Sequence, residues 1–165
     1  MASAKLHSWL IERGSLTLRL KNQFQGFSVN PQRQLRKKCF IGDTSVLNMP
    51  IRMNSLIREV TLNNNGQALV FAHSVIPFNS LVGTWRNLGK LGNRSLGTAL
   101  FANPLVTRTP ITFKKLGLNH PLYQLAVQHQ YYPPKFLWAR RSVFKLKSAK
   151  ILVTEVFLPN LLRCI

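Results

Sequence analysis

Acidic side chains are almost missing from this chain: Glu12, Asp43, Glu59 and Glu155 are the only four in 165 residues. A paired-carboxylate hydrolase or a carboxylate-bound magnesium site needs acidic residues in clusters, and so thin a supply argues against both. Cysteine is equally sparse. Cys39 lies in a basic stretch and Cys164 next to the end of the sequence, which makes neither a disulfide framework nor a zinc spacing, so both are read as free thiols. No apolar run reaches the roughly 18 to 20 residues that a membrane-spanning helix needs. The opening "MASAKLHSWLIERGSL" lacks a charged segment followed by the apolar run of a signal peptide. A soluble, cytoplasmic protein is the expectation. "GxSxG", "HExxH" and a glycine-rich phosphate loop are absent too, which removes the usual signatures of a serine hydrolase, a zinc protease and a nucleotide site.

What the chain has in excess is positive charge. Its 23 Lys and Arg give a formal net charge of +19, which calls for an anionic partner or a solvated basic face. The basic residues are scattered from Lys5 to Arg163, with no run denser than "RKK" at 36–38. Charge so distributed supports salt-dependent, non-specific association with nucleic acid and no specific partner of that kind. A single-strand binder would interleave aromatics with basic residues along one groove. Trp9, Trp85 and Trp138 sit instead in apolar-patterned segments, where core packing is their expected role. The same positive field can draw in a small anionic substrate, or hold the protein weakly at a membrane surface.

Hydrophobic spacing predicts a helix, or two short ones, between Lys5 and Gln23, weakened at Gly14. "GFSVNPQRQLRKKCFI" reads as a strand pair or an edge strand interrupted at Pro31. "MNSLIREVTL" and "QALVFAHSVIP", joined by "NNNG", form the clearest element, a β-hairpin whose turn residues tolerate positive φ. Helical pieces are expected in "LVGTWRNLGKL" and "LGNRSLGTALF", a strand in "LVTRTPITFKKLG" and a short helix in "HPLYQLAVQHQYYPP". "FLWARRSVFKL", the turn "KSAK" and "ILVTEVFLP" make a second hairpin. Without repeats or linkers, residues 1–165 read as one α+β domain with a largely antiparallel sheet.

Two charges stand out against that pattern. Side chains alternate across a strand, so Arg58 shares a face with Leu56, Val60 and Leu62, and Glu155 shares one with Ile151, Val153 and Phe157. Glu59, on the more polar face, is expected to point to water. Buried charges are paired or meet a ligand. Either Arg58 and Glu155 form a structural ion pair, or they face a common pocket where the arginine takes a carboxylate and the glutamate a hydroxyl. Patterning alone leaves both open.

"SLIREVTL", "HSVIPFNSL", "LGNRSLGTALF" and "RRSVFKLKSAKILVTEVFLP" resemble, in order and character, the chorismate lyase family, and "WLIERGSLTLRL" is similar to its opening. The resemblance covers residues 9–20, 54–101 and 139–159, roughly half of the chain. It implies a cofactor-free enzyme that cleaves chorismate to 4-hydroxybenzoate and pyruvate for ubiquinone biosynthesis, monomeric and without metal. It also implies an antiparallel sheet of about six strands with helices on one side, enclosing a site under flap-like segments. Matched residue by residue, the arginine that binds the ring carboxylate falls on Arg58 and the glutamate that contacts the 4-hydroxyl on Glu155. Two positions that contact the aromatic product through main chain fall on Leu16 in "GSLT" and Leu96 in "SLG".

Two departures accompany the match. Where the family usually has an arginine, this chain has His73, either a packed histidine or, when protonated, a partner for the enolpyruvyl carboxylate. Arg140 or Arg141 could take that part, since one of them must point inward from a regular strand. The stretch at about 114–135 has no counterpart in the resemblance and reads as an insertion; its His120, His129, Tyr131 and Tyr132 lack the carboxylates or cysteines of a metal site and are read as structural. The rival function is a non-catalytic module of the same fold that binds a small aromatic ligand, as in the effector domains of bacterial transcription regulators.

Overall fold

The computed structural model describes residues 3–128 and 130–165. Two short helices come first, α1 (Ala4–Leu10) and α2 (Leu16–Gln23), with Ser3 and Ser15 accepting hydrogen bonds from backbone N–H groups of their first turns. Strand β1 (Phe27–Lys38) is single and lies at the edge of the sheet, with a register shift between Pro31 and Arg33. Proline cannot donate to a ladder, and Arg33, Arg36, Lys37 and Lys38 give the strand the charge that discourages edge-to-edge pairing. Helix α3 (Ile41–Leu47) follows, and nothing in the sequence reading anticipated it.

β2 (Asn54–Asn64) and β3 (Gln67–Pro77) form the expected hairpin. Its turn is Asn65-Gly66, with φ of 48° and 79°, the positive pair that a two-residue hairpin turn requires. α4 (Phe78–Val82), a 3-10 turn at Arg86–Lys90 and α5 (Leu96–Phe101) lead to β4 (Thr107–Arg108) and β5 (Thr112–Gly117). α6 (Pro121–Ala126), the hairpin of β6 (Phe136–Leu146) and β7 (Ala149–Phe157), and α7 (Pro159–Cys164) complete the chain. The segment read as an insertion thus supplies a sheet strand and a helix. His120 caps that helix, accepting from Leu122 N–H at 3.2 Å, while Tyr131 and Tyr132 are exposed. His129 lies outside the described residues.

The single domain is α+β, with a seven-stranded, antiparallel sheet in the order β1-β2-β3-β7-β6-β4, and β5 pairing with β6 beside β4. Against the expected six or so strands, the additional one comes from dividing "LVTRTPITFKKLG" into β4 and β5 at Thr109–Ile111. Helices were expected on one side. α1, α2, α4 and α5 do cover one face, packing Trp9, Leu16, Leu20, Leu81 and Leu100 into two apolar clusters with the sheet. The other face is covered as well: Leu47 of α3 meets Ile57, Val75 and Leu152, and Leu122 and Ala126 of α6 meet Phe71, Leu137 and Val156. The central strands are therefore buried on both sides, which is why β2 is buried almost from end to end. Leu20 has no exposed surface, and cutting it to alanine would cost about 2 to 5 kcal/mol through lost transfer energy and the cavity left behind.

Candidate active site

The register decides which charges meet. Arg58 opposes Ser74, while Ala72 opposes Glu155, and Glu155 in turn opposes Arg140. Arg58 and Glu155 thus share a face of the sheet with β3 between them, about 10 to 12 Å apart at Cα from strand spacing and a two-residue offset. They do not form an ion pair with each other. Both line a cavity roofed by α2 and α5, together with Leu16, Leu96, Ser74 and Arg108.

Arg58, 3 % exposed, is held by carbonyls instead of a carboxylate. Its Nη2 donates to the carbonyl oxygens of Gly92 at 2.8 Å and Arg94 at 2.9 Å, and Nη1 to Gln34 Oε1 at 3.4 Å. Gly92 sits at φ +57°, a conformation that suits glycine and brings its carbonyl to the guanidinium. Burial lowers the Arg58 pKa from its ordinary value. With no acidic partner among the described residues, the charge is available to a ligand.

Glu155 has the opposite arrangement. Its Oε2 accepts from Arg140 Nε at 2.5 Å, and Arg140 Nη1 also donates to the carbonyls of Trp9, Leu10 and Glu12, at 3.0, 3.3 and 2.7 Å. These lie at the C-terminal end of α1, where carbonyls lack intrahelical donors and a cation is favoured. Arg140 therefore fixes both the helix and the carboxylate, leaving Glu155 Oε1 without a donor among the described residues. Of the two neighbouring arginines, Arg140 is the inward one on this face. Arg141 is on the other, with Nη1 3.9 Å from Asp43 Oδ1.

Arg108 is the site residue that sequence patterning missed. It stands on the two-residue strand β4, donates from Nε to Ser142 Oγ at 2.7 Å and from Nη1 to the carbonyl of Arg13 at 3.0 Å, and lies 4.9 Å from the Phe144 ring centroid. Burial lowers its pKa, with Glu155 acting in the opposite direction and Arg140 adding to the fall. Two residues give no periodicity to read. The only signal was an arginine next to a β-branched residue in a segment expected to be extended.

The roof is a pair of helix starts. Leu16 and Leu96 each occupy the first position of a helix behind a serine cap, Ser15 and Ser95, so their N–H groups have no intrahelical acceptor. Thr17 Oγ1 and Ser95 Oγ are 2.9 Å apart and tie α2 to α5. Gly97 permits this approach, since a Cβ there would lie 3.3 Å from Thr17 Oγ1. The enclosed volume is about 40 Å3, room for about three water molecules. As it stands the cavity is smaller than a ring with substituents needs.

His73 is not part of this cavity. Register pairs it with Glu59, one residue out of phase with Arg58, so its side chain is on the opposite face. There Nδ1 is 3.0 Å from Glu59 Oε1, and the ring stacks on Phe40 at 5.6 Å. Glu59, expected to face water, is 3 % exposed and also accepts from Arg33 Nε at 2.9 Å. Burial pushes its carboxyl up, but the hydrogen bonds of His73 and Arg33 outweigh this and hold it below the usual carboxylate range.

By architecture the molecule shares its fold with domains already seen in solved structures. Its backbone superposes on the C-terminal domain of PhnF with a TM-score of 0.64 at 14 % identity, covering 84 % of this chain and 91 % of that one. The ligand-binding domain of a putative GntR-family regulator from Bordetella bronchiseptica gives 0.59 at 11 % identity, over 81 % and 85 % of the two chains. Sequence carries the assignment further. Residues 1–163 match the chorismate lyase family, and the chain belongs to it. A probable chorismate pyruvate-lyase from Nitrosomonas europaea is 46 % identical over 162 residues, 98 % of this chain and 91 % of that protein. Another from Methylobacillus flagellatus is 46 % identical over 155 residues, 94 % and 87 % of the two.

Proposed function

We propose that this protein is a lyase that cleaves chorismate into 4-hydroxybenzoate and pyruvate. The observation that carries the proposal is the charge of the cavity, which Arg58 and Arg108 line together with one carboxylate, Glu155, itself paired with Arg140. Arg140 is spent on Glu155 and on α1. That leaves two cations, a match for the two carboxylates of chorismate.

Arg58 takes the ring carboxylate through its planar fork of donors. Glu155 Oε1 accepts a hydrogen bond from the 4-hydroxyl across the ring. Arg108 faces the enolpyruvyl carboxylate, the part once considered for His73. In the reaction the ring C3–O bond and the adjacent C4–H bond break, the ring becomes aromatic, and the leaving enolpyruvyl group takes up a proton as pyruvate. Aromatisation supplies much of the driving force, so the side chains contribute orientation and a positive field where the ether oxygen gains charge. Backbone groups at Leu16 and Leu96 close over the ring edge.

In the cell we assign the protein to the cytoplasm as a monomer feeding ubiquinone synthesis, in keeping with a chain in which no described helix is long and apolar enough to cross a membrane. The +19 charge suits both attraction of a dianion and weak contact with membrane surfaces.

The test is incubation of purified protein with chorismate in the presence of chelator, quantifying both products against a control without enzyme. Equal yields above background, lost in Arg58→Ala, are expected. Saturable binding of 4-hydroxybenzoate without turnover would favour the ligand-binding module, the reading to which the regulator domains of this fold point.

A further inference from the structure

The face of the sheet opposite Arg58 and Glu155 holds a second cavity. It is about 500 Å3, within the range of small-molecule sites, and lies between the start of α3 and the β5–α6 segment. Phe40, Asp43, Lys114, Leu116, Arg141 and Thr154 are among its lining residues. Its floor crosses three strands in register, where His73 on β3 opposes Thr154 on β7, which opposes Arg141 on β6.

Three buried polar atoms in this region have no hydrogen-bond partner among the described residues: Asp43 Oδ2, Thr154 Oγ1 and His73 Nε2. Their residues are 4, 4 and 1 % exposed. Unsatisfied buried groups are rare in folded proteins, and here Asp43 and Thr154 line the cavity with His73 next to them, which points to a missing occupant. His73 Nε2 is 3.8 Å from Asp43 Oδ2, too far for a direct hydrogen bond and close enough for one oxygen to sit between and bond both. The imidazole is fixed for that task by Glu59 at Nδ1 and by the Phe40 ring stacked on it.

The remaining lining describes the rest of the occupant. Phe40, Leu116, Leu122 and Ala139 make apolar walls suited to a flat ring. Lys114, opposite Ala139, places positive charge away from Asp43 and Thr154, while Arg141 stands beside them, and both depress the pKa of His120, after the larger effect of burial. Arg141 is only loosely engaged by Asp43, at 3.9 Å.

We infer that this cavity is a second binding site, for a small hydroxylated aromatic carboxylate, with its hydroxyl between Asp43, Thr154 and His73 and its carboxylate at Lys114. The site is separate from the lyase cavity, because the sheet stands between them, and it rests on other residues. A product-like acid bound there would act on the enzyme from the far side of β3 and β7, the strands that carry Ser74 and Glu155.

The probe is labelled 4-hydroxybenzoate in equilibrium dialysis, with thermal melts to verify that each variant is folded. Wild type is expected to bind two molecules per chain, and Arg58→Ala one. Adding Thr154→Val or Asp43→Asn to Arg58→Ala should weaken the remaining site at least tenfold, and adding the exposed Lys114→Ala about threefold. Amide shifts at residues 112–122 should follow the same titration. A folded Arg58→Ala protein that binds none, or whose residual binding ignores Thr154, Asp43 and Lys114, overturns the inference and leaves a water-filled cavity. If instead the Thr154-sensitive site persists while chorismate is not cleaved, the lyase proposal fails and the second site stands.

Discussion

The two faces of one sheet use their charges in opposite ways. On the α2–α5 face Arg58 and Arg108 lack carboxylate partners within hydrogen-bonding range, anchored by carbonyls and a serine hydroxyl around a cavity of about 40 Å3. On the α3–α6 face Glu59 is clamped between Arg33 and His73, a neutralised cluster under helical cover. A site that must receive an anion keeps cations in reserve, at the expense of local stability. A structural cluster cancels its charges and gains stability from the cancellation. Substitutions of the free arginines should therefore act on turnover, and those in the Glu59 cluster on folding.

Arg58→Ala should have the largest effect. Losing a buried, charge-assisted anchor costs about 3 kcal/mol of transition-state binding, so kcat/KM for chorismate should fall at least 100-fold with little change in Tm. Equal activity in the variant would remove Arg58 from the site.

Glu155→Gln sharpens the comparison, because this side chain is paired with Arg140 and, in the proposed reaction, also meets the substrate. Turnover should slow about 10- to 100-fold, and the melting temperature should also drop, since Arg140 loses its counter-charge while keeping a hydrogen-bond acceptor. A variant with unchanged stability would mean that the carbonyls of α1 suffice for Arg140.

Glu59→Gln should do the converse, lowering stability by about 2 kcal/mol at neutral pH and leaving kcat/KM within twofold. Because the folded-state pKa of Glu59 is depressed, its contribution is fully present above the ordinary carboxylate pKa of 4.5 and is lost as pH falls through the lower folded value. Urea titrations at a series of acidic pH values should show a shallower decline for the variant than for wild type. A parallel decline would separate Glu59 from acid unfolding.

The smallest effect is expected from Thr17→Val. Removing the Thr17–Ser95 hydrogen bond loosens the roof by about 0.5 to 1.5 kcal/mol, which should speed dissociation of 4-hydroxybenzoate about two- to tenfold in stopped-flow displacement. An unchanged rate would place the barrier to release elsewhere.

Alternation and turn chemistry made much of the fold legible. "NNNG" marked the hairpin because Asn65 and Gly66 accept positive φ, and counting in twos assigned Arg58 and Glu155 to the sides they occupy. Glu59 was misjudged by the same rule, since a polar neighbour set predicts water only when nothing covers that face. α3 and α6 cover it, and they are too short and too weakly patterned to announce it. Arg108 stayed hidden on a strand of two residues, and the choice between a packed His73, which the structure has, and a ligand contact stayed open because alternation within one strand does not reveal the register with the next.

By itself the sequence determined the hairpins, the inward direction of Arg58 and Glu155, the scarcity of acid and the excess of base, because these depend on period-two geometry, turn conformations and composition, all local or additive. Only the tertiary structure decided that Glu155 pairs with Arg140, that Arg108 joins Arg58 as an uncommitted cation, and that Asp43, His73 and Thr154 meet behind the sheet. Those outcomes depend on strand register and on helices packed from distant parts of the chain, which no local pattern encodes.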